Sequence, residues 1–281
     1  MGSSESAFVS APPAPVLAPF VEQYVGYRVP ANPSGVHRGL PSRHMTFIVS
    51  IGPTIDVVRQ TDPSQHPERY RAVLSGLAAS PALIAQHGPE EGVAIELTPL
   101  GSRALFGLPA AAVWNTSLEL VEVAGPAGDA LWERLQGPAS WPERFAVCDE
   151  VLGGLRRDHR EPSPEVLRAW DVIVGTGGAA TVGEVAEDVG WSRQHLARRF
   201  AGEFGLGPKL AARIVRFERA RDLLRSMPSI VTVAEVAAVC GYYDQAHLDR
   251  DFAELAGCSP TQWRREEVPS FQARQEEAPS S

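Results

Sequence analysis

The apolar positions of this chain keep two rhythms, and the change between them falls close to residue 126. Before it, short segments rich in β-branched residues alternate with Gly and Pro: "HMTFIVSIG" (44–52), "IDVVR" (55–59), "GVAIELTPL" (92–100) and "SLELVEVAG" (117–125). That texture predicts strands bounded by turns. Between them "GSRALFGL" (101–108) reads as a short helix. Past Gly128, "DALWERLQG" and "WPERFAVCDEVLGGLRR" space their apolar residues as a helix does, with Trp132, Leu135, Phe145 and Leu152 on one stripe. The predicted organisation is a disordered Ser/Ala/Pro-rich tail over 1–15, a β-rich domain over 16–125 and a helical segment over 126–160. After the Pro-rich joint "EPSP", a helical domain follows over 164–268, and a polar tail closes the chain over 269–281. The stripe on the 126–160 helices serves either to pair two chains into a homodimer or to pack on the β-rich domain.

Within the last domain one phrase is written twice, "TVGEVAEDVG" (181–190) and "TVAEVAAVCG" (232–241). Each copy opens on Thr with Glu three residues later, a capping box that satisfies free N–H groups at a helix start. Each ends in Gly, which takes the positive φ that stops a helix. The match continues through Leu196, Arg198, Phe200, Gly205 and Pro208 onto Leu248, Arg250, Phe252, Gly257 and Pro260, with one residue inserted in the second turn. In that register Ser192 and Asp244 are aligned N-caps for the next helix. The unit is helix, tight turn, helix, over 181–204 and again over 232–256. A single amphipathic segment, "GPKLAARIVRFERARDLLRS" (207–226), joins the two. At 1.5 Å per residue it makes a rod of roughly 28 Å. With its flanking turns, such a rod sets two second helices roughly 34 Å apart, one turn of duplex DNA.

The chain's net charge of −8 excludes a surface that is basic everywhere. Its distribution says more. From 192 to 225 there are nine basic residues against three acidic, a net of +6, whereas 232–258 has one against five, a net of −4. The first unit suits phosphates better than the second. Three widely spaced cysteines, Cys148, Cys240 and Cys258, fit a reducing compartment and form no metal clip. No apolar run of about 18 residues spans a membrane, and the N-terminus lacks the pattern of a signal peptide. The sequence therefore predicts a cytoplasmic protein.

The segments "EVAEDVGWSRQHLARRFAGEFGLGP", "RFERARDLL" and "VAEVAAVCGYYDQAHLDRDFAELAGCSPTQWR" resemble the DNA-binding domain of AraC/XylS-type transcription regulators over residues 164–266. The chain departs from that pattern at Gly241–Tyr242, where the family usually has Gly-Phe, and in the acidic Asp249 and Asp251. The resemblance implies a bacterial, sequence-specific regulator, an activator, that lays the second helix of each unit in successive major grooves of promoter or operator DNA. RNA polymerase is an implied partner. On a helical wheel Gln194, Ala197 and Arg198 share an outward face, with Arg193 near the helix start. Arg198 suits guanine and Gln194 suits adenine, Arg193 reaches either a phosphate or a base edge, and Arg199, Lys209 and Arg216 are further DNA-binding candidates, Arg216 for phosphate. The matching face of the second unit holds Gln245, Ala246, Asp249 and Arg250.

Family members carry an N-terminal cupin-like domain that senses a small effector, and residues 16–125 have a comparable texture. The expected fold class is α+β, a cupin-like β-rich domain with helices followed by an all-α domain of two helix-turn-helix units. Arg43, His44, His87, Glu96 and Trp114 are candidates to line an effector pocket. His37, His44, His66 and His87 stand singly, without the clustered His/His/Glu set of a metal centre, so neither metal nor cofactor is expected. No GxSxG, Walker or GxGxxG pattern is present, and the chain does not read as an enzyme. Two alternatives compete with this reading. One is a cupin-type enzyme or a DNA-repair protein, using an activated cysteine, fused to a DNA-binding module. The other is a protein-interaction module with weak DNA binding, suggested by the acidic second unit.

Overall fold

The computed structural model describes residues 7–29, 35–158, 161–226 and 232–272. Among these residues ten strands form two antiparallel sheets. The larger has the order β1 (Ala7–Ala11), β2 (Val21–Val29), β9 (Glu90–Leu97), β4 (Met45–Ser50), β7 (Ala72–Ser75) and β10 (Ser117–Glu119). The smaller runs β3 (Val36–Gly39), β8 (Ala82–Ala85), β5 (Ile55–Arg59) and β6 (Glu68–Tyr70). Successive strand residues point to opposite faces, and β4 shows the consequence. Phe47 and Val49 are fully buried in the main core with Leu131, Leu135 and Leu152, whereas Ile48 packs with Ile55, Val57, Tyr70 and Val73 between the sheets. The larger sheet is thus covered by helices on one side and by the smaller sheet on the other. This is the β-rich, cupin-like part of the expected α+β fold, and a wholly helical part follows it.

Three helices close the β-rich part: α1 (Leu120–Ala124), α2 (Pro126–Leu135) and α3 (Trp141–Leu155). The first corrects an expectation. "SLELVEVAG" is a strand only over Ser117–Glu119, because Glu119 and Glu122 form a capping box that starts a helix at Leu120. "GSRALFGL" forms a wider helical turn over Ser102–Phe106, entered from a turn at Pro99–Gly101. Residues 1–15 also differ from the predicted tail: Ala7–Ala11 pair with β2 without a register break, and residues 1–6 lie outside the described residues. At the other end a helix runs to Gln272, into the segment expected as tail, and residues 273–281 are likewise outside the description.

The stripe on the 126–160 helices faces inward. Leu135 and Leu152 have no exposed surface, and Phe145 has 6%. The Phe145 ring stacks on Tyr24 at 5.7 Å, and the Tyr24 hydroxyl donates to Asp149 Oδ1 at 2.8 Å. Arg71 lies over the Trp132 ring at 4.9 Å. These residues are consumed by their own chain, so they cannot also pair two chains, and the homodimer expected on this stripe is withdrawn. Leu152→Ala should therefore cost about 2–5 kcal/mol of folding stability. Urea unfolding of the dilute protein measures it, and a subunit-facing Leu152 would leave the midpoint of a dilute monomer nearly unchanged.

Candidate nucleic-acid interface

The helical part comprises α4 (Pro164–Gly175), the first unit α5 (Val182–Asp188) and α6 (Arg193–Phe204), and the linker α7 (Pro208–Ser226). The second unit α8 (Val233–Val239) and α9 (Gln245–Leu255) follows, and then α10 (Pro260–Gln272). Both capping boxes form, Thr181 with Glu184 and Thr232 with Glu235. Ser192 accepts from the His195 N–H and Asp244 from the His247 N–H, so both reading helices start on side-chain caps. Gly190 and Gly241 take φ of 70° and 75° in the turns, where a Cβ would be strained. Each turn is braced by the same edge-on contact, Trp191 on His195 at 4.6 Å and Tyr242 on His247 at 5.1 Å. Both turn aromatics are packing residues.

The linker α7 turns several of its charges inward. Arg213 Nε donates to Asp251 Oδ1 at 2.6 Å and its Nη2 to Glu254, tying α7 to the second reading helix. Arg216 Nη2 donates to the Gly178 carbonyl at 2.8 Å, and its guanidinium lies over the Tyr242 ring at 5.5 Å. Glu218, buried at 4% exposure, accepts from Arg43 at 3.1 Å. Arg216 departs from its expectation, and Asp251 from the surface charge at which it was counted. Arg216 is half-buried and engaged inside the domain, so it is not a phosphate contact. Asp251, 3% exposed, is a structural ion-pair partner, so removing it does not relieve repulsion at a DNA surface.

The predicted reading positions remain on the surface. Arg193, Gln194, Arg198, Arg199 and Lys209 are exposed and Ala197 is half-buried; Gln245, Ala246 and Arg250 are exposed and Asp249 is half-buried. With Asp251 and Glu254 turned toward Arg213, the outward face of α9 carries Asp249 and Arg250, which balance. The outward face of α6 carries three guanidinium groups. The electrostatic asymmetry survives at the surface, but as positive against neutral. Arg198 Nη2 sits 3.4 Å from His195 Nδ1, held over the α6 face.

The β-rich part grips both units at the same place, the C-terminal end of each reading helix. Arg103 clasps Glu203 through two bonds of 2.6 and 2.8 Å, and Trp114 and Ala111 abut Gly205 so closely that a Cβ there would meet Trp114 Cβ at 2.5 Å. At the aligned Gly257 the approach is looser: a Cβ there would lie 3.5 Å from Pro81 Cγ and 3.7 Å from Arg59 Nη2. Further along, Glu267 on α10 accepts from the Arg38 backbone at 3.3 Å and bonds His37 Nδ1 at 2.9 Å. The sequence showed no signal for these cross-domain partners; each is an ordinary surface residue type on its own element.

The effector candidates separate. His44 and Glu96 line a cavity of about 250 Å³ between the two sheets, floored by Ile48, Ile55, Val57 and Ile84 and roofed by Arg221, Arg225 and Trp263 from the helical part. Arg43 belongs to the contact with Glu218, Trp114 packs on Gly205, and His87 pairs with Asp56 on the exposed face of the smaller sheet. His44 is buried with Glu22, Glu96 and Glu218 at 3.7–3.8 Å. Burial, and after it the Arg43 guanidinium, hold its imidazole below the usual value of 6.5, with Arg221 adding to the same effect. Cys148 is buried in α3 and its thiol is pushed up to about 12, the opposite of an activated nucleophile.

A two-sheet domain followed by two capped helix-turn-helix units on one linker helix defines the class of two-domain helix-turn-helix proteins. Residues 185–266 match the family described as a helix-turn-helix domain, and residues 9–119 match the family described as Domain of unknown function (DUF6597). The chain is 35% identical over 131 residues to HTH-type transcriptional regulator Rv1931c of Mycobacterium tuberculosis, covering 47% of this chain and 49% of that protein. It is 32% identical over 172 residues to the "Probable thc operon regulatory protein" of Rhodococcus erythropolis, covering 53% and 52%. The chain thus spans about half the length of the curated relatives it matches. The structure of ToxT from Vibrio cholerae shares the fold across both parts, with a TM-score of 0.52 over 86% of this chain and 98% of that one at 9% identity. Over its helical part the chain is thus similar to helix-turn-helix transcription regulators. No helix among the described residues is long and apolar enough to cross a membrane.

Two outcomes follow from these contacts. Arg213→Ala leaves the Asp251 carboxylate buried without its cation and should cost on the order of 3 kcal/mol, read as a fall in the denaturant midpoint. Asp251→Asn should destabilise as well, leaving the salt dependence of DNA binding unchanged. For His44, the folded state takes up its proton at lower pH than the unfolded chain does. Stability should then fall as pH drops below about 6.5, and His44→Gln should flatten that part of the melting-temperature profile. An identical slope in both proteins would remove His44 as the cause.

Proposed function

We propose that the chain binds double-stranded promoter or operator DNA through α6 and α9 in successive major grooves and thereby regulates transcription as an activator. The observation that carries this reading is the exposure of Arg193, Gln194 and Arg198 on one reading helix and Gln245, Asp249 and Arg250 on the other. The two helices are joined by a 19-residue rod. Arg198 is the guanine reader and Gln194 the adenine reader; Arg199 and Lys209 meet phosphate. Asp249 accepts from a cytosine amine or neutralises Arg250. The interaction-module alternative loses its support, since two of the acids that suggested it face Arg213. Val239 and Tyr243 of the second unit, 56% and 93% exposed, are available to a protein partner such as RNA polymerase. Tyr243 is the residue inserted in the second turn.

The inter-sheet cavity is the effector site of this reading. A small molecule seated on Ile48 and Ile84 would touch Arg221, Arg225 and Trp263 directly, so its presence would bear on the linker helix. Filling the cavity with Ile48→Trp should abolish any ligand-induced rise in melting temperature while leaving effector-free DNA binding intact. Loss of both would mean that the cavity is structural.

Arg198→Ala should weaken operator binding by about 1–3 kcal/mol and relax preference at one base position. Arg193 and Arg199 changed together to Gln should reduce the slope of log K against log salt by about 2. A reporter driven by the bound promoter should rise with expression of the parent and not of the Arg198 variant. Unchanged affinity and base preference in Arg198→Ala would remove the first unit as the reader.

A further inference from the structure

One row of the larger sheet is polar where it faces the smaller sheet. Glu96 on β9 lies opposite Thr46 on β4, Thr46 opposite Ser75 on β7, and Ser75 opposite Ser117 on β10. Directly opposed residues of antiparallel strands share a face, and all four line the inter-sheet cavity. The row beside them is apolar, with Ala94, Ile48 and Val73 in register. A polar group withdrawn from water is costly unless it is hydrogen-bonded. The hydroxyls of Thr46, Ser75 and Ser117 make no hydrogen bond among the described residues, and Ser117 is 3% exposed.

The charge at the head of the row is also open. Glu96 Oε2 accepts from Gln23 Nε2 at 2.9 Å, and Oε1 accepts from no described residue. The ring nitrogen nearest to it, His44 Nδ1, is 3.7 Å away. Burial and Arg43 hold that imidazole below its usual value, so at neutral pH it leaves the carboxylate uncompensated. The cations around it are engaged elsewhere: Arg43 with Glu22 and Glu218, Arg221 and Arg225 with Asp222, and Arg38 with Glu267. Neighbouring strands lie about 4.8 Å apart, which puts Ser75 about 10 Å and Ser117 about 14 Å along the row from Glu96. We propose that the cavity selects a small monoamine with a hydroxyl at its far end, the ammonium on Glu96, the apolar body on Ile48 and Ile84, and the hydroxyl on Ser75 and Ser117. The assignment rests on the cavity being the effector site and adds the chemistry that it selects. An anion would meet Glu96 beneath guanidinium groups already paired to Asp222. A wholly apolar guest would leave one carboxylate and three hydroxyls without partners, and a neutral polyol would satisfy the hydroxyls but not the charge.

Tyramine, with an amine and a phenol at opposite ends of one ring, is a probe of this shape. Titration calorimetry of the full chain should show it bound about tenfold or more tighter than para-ethylphenol, which lacks the amine. The same margin should separate it from para-hydroxyphenylpropionate, which carries a carboxylate in its place. Glu96→Gln keeps the side-chain length and an acceptor for Gln23; it should weaken tyramine by about tenfold and leave para-ethylphenol unchanged. Ser75→Ala should weaken tyramine several-fold but not phenethylamine, which has no hydroxyl. Suppose the neutral or anionic analogue binds the parent as tightly as tyramine and is lost in Ile48→Trp. The cavity then stands as the effector site and the amine selection falls. Tyramine bound equally by Ile48→Trp and the parent would remove the cavity reading as well. No binding of any probe, or an unchanged tyramine affinity in Glu96→Gln, would overturn the proposal.

Discussion

The linker helix α7 is the constraint on which the remaining geometry depends. Its apolar stripe, Ile214, Phe217, Ala220 and Leu224, is buried, and that alone would let it slide or rotate against its neighbours. The charges turned inward from it remove that freedom. Arg213 is anchored to Asp251 on the second reading helix, Arg216 to the Gly178 carbonyl beside the first unit, and Glu218 to Arg43 of the β-rich domain. Each bond satisfies a group whose desolvation would otherwise be costly, and each points to a different body. One helix therefore sets both the spacing of α6 and α9 and their attitude to the β-rich domain.

The local half of this structure was legible in the sequence. Thr181 with Glu184, Thr232 with Glu235, and the caps Ser192 and Asp244 are contacts within three residues, and the structure forms all of them. The distant half was not. Arg213 and Asp251, or Arg103 and Glu203, are 38 and 100 residues apart, and neither spacing leaves a periodic trace. This is why the charge count misled: it treated Asp251 and Arg216 as surface, when packing on α7 had already buried the one and half-buried the other. The capping logic was equally available at Glu119 and Glu122, where the β-branched texture of "SLELVEVAG" hid a helix start.

The cavity between the sheets is roofed by Arg221, Arg225 and Trp263, so α7 forms a wall common to it and to the helix-turn-helix units. The contacts at Gly205 and Gly257 hold the far ends of the two reading helices on the β-rich domain, tightly at the first and loosely at the second.

The central claim is that α7 fixes two unequal reading helices one duplex turn apart. Selection of bound sites from a pool of random duplexes tests it most directly. The account predicts enriched sites with two short blocks whose centres lie about 10–10.5 base pairs apart, the block under α6 being the more strongly enriched. A single block, two blocks at variable spacing, or no enrichment above the starting pool would contradict it.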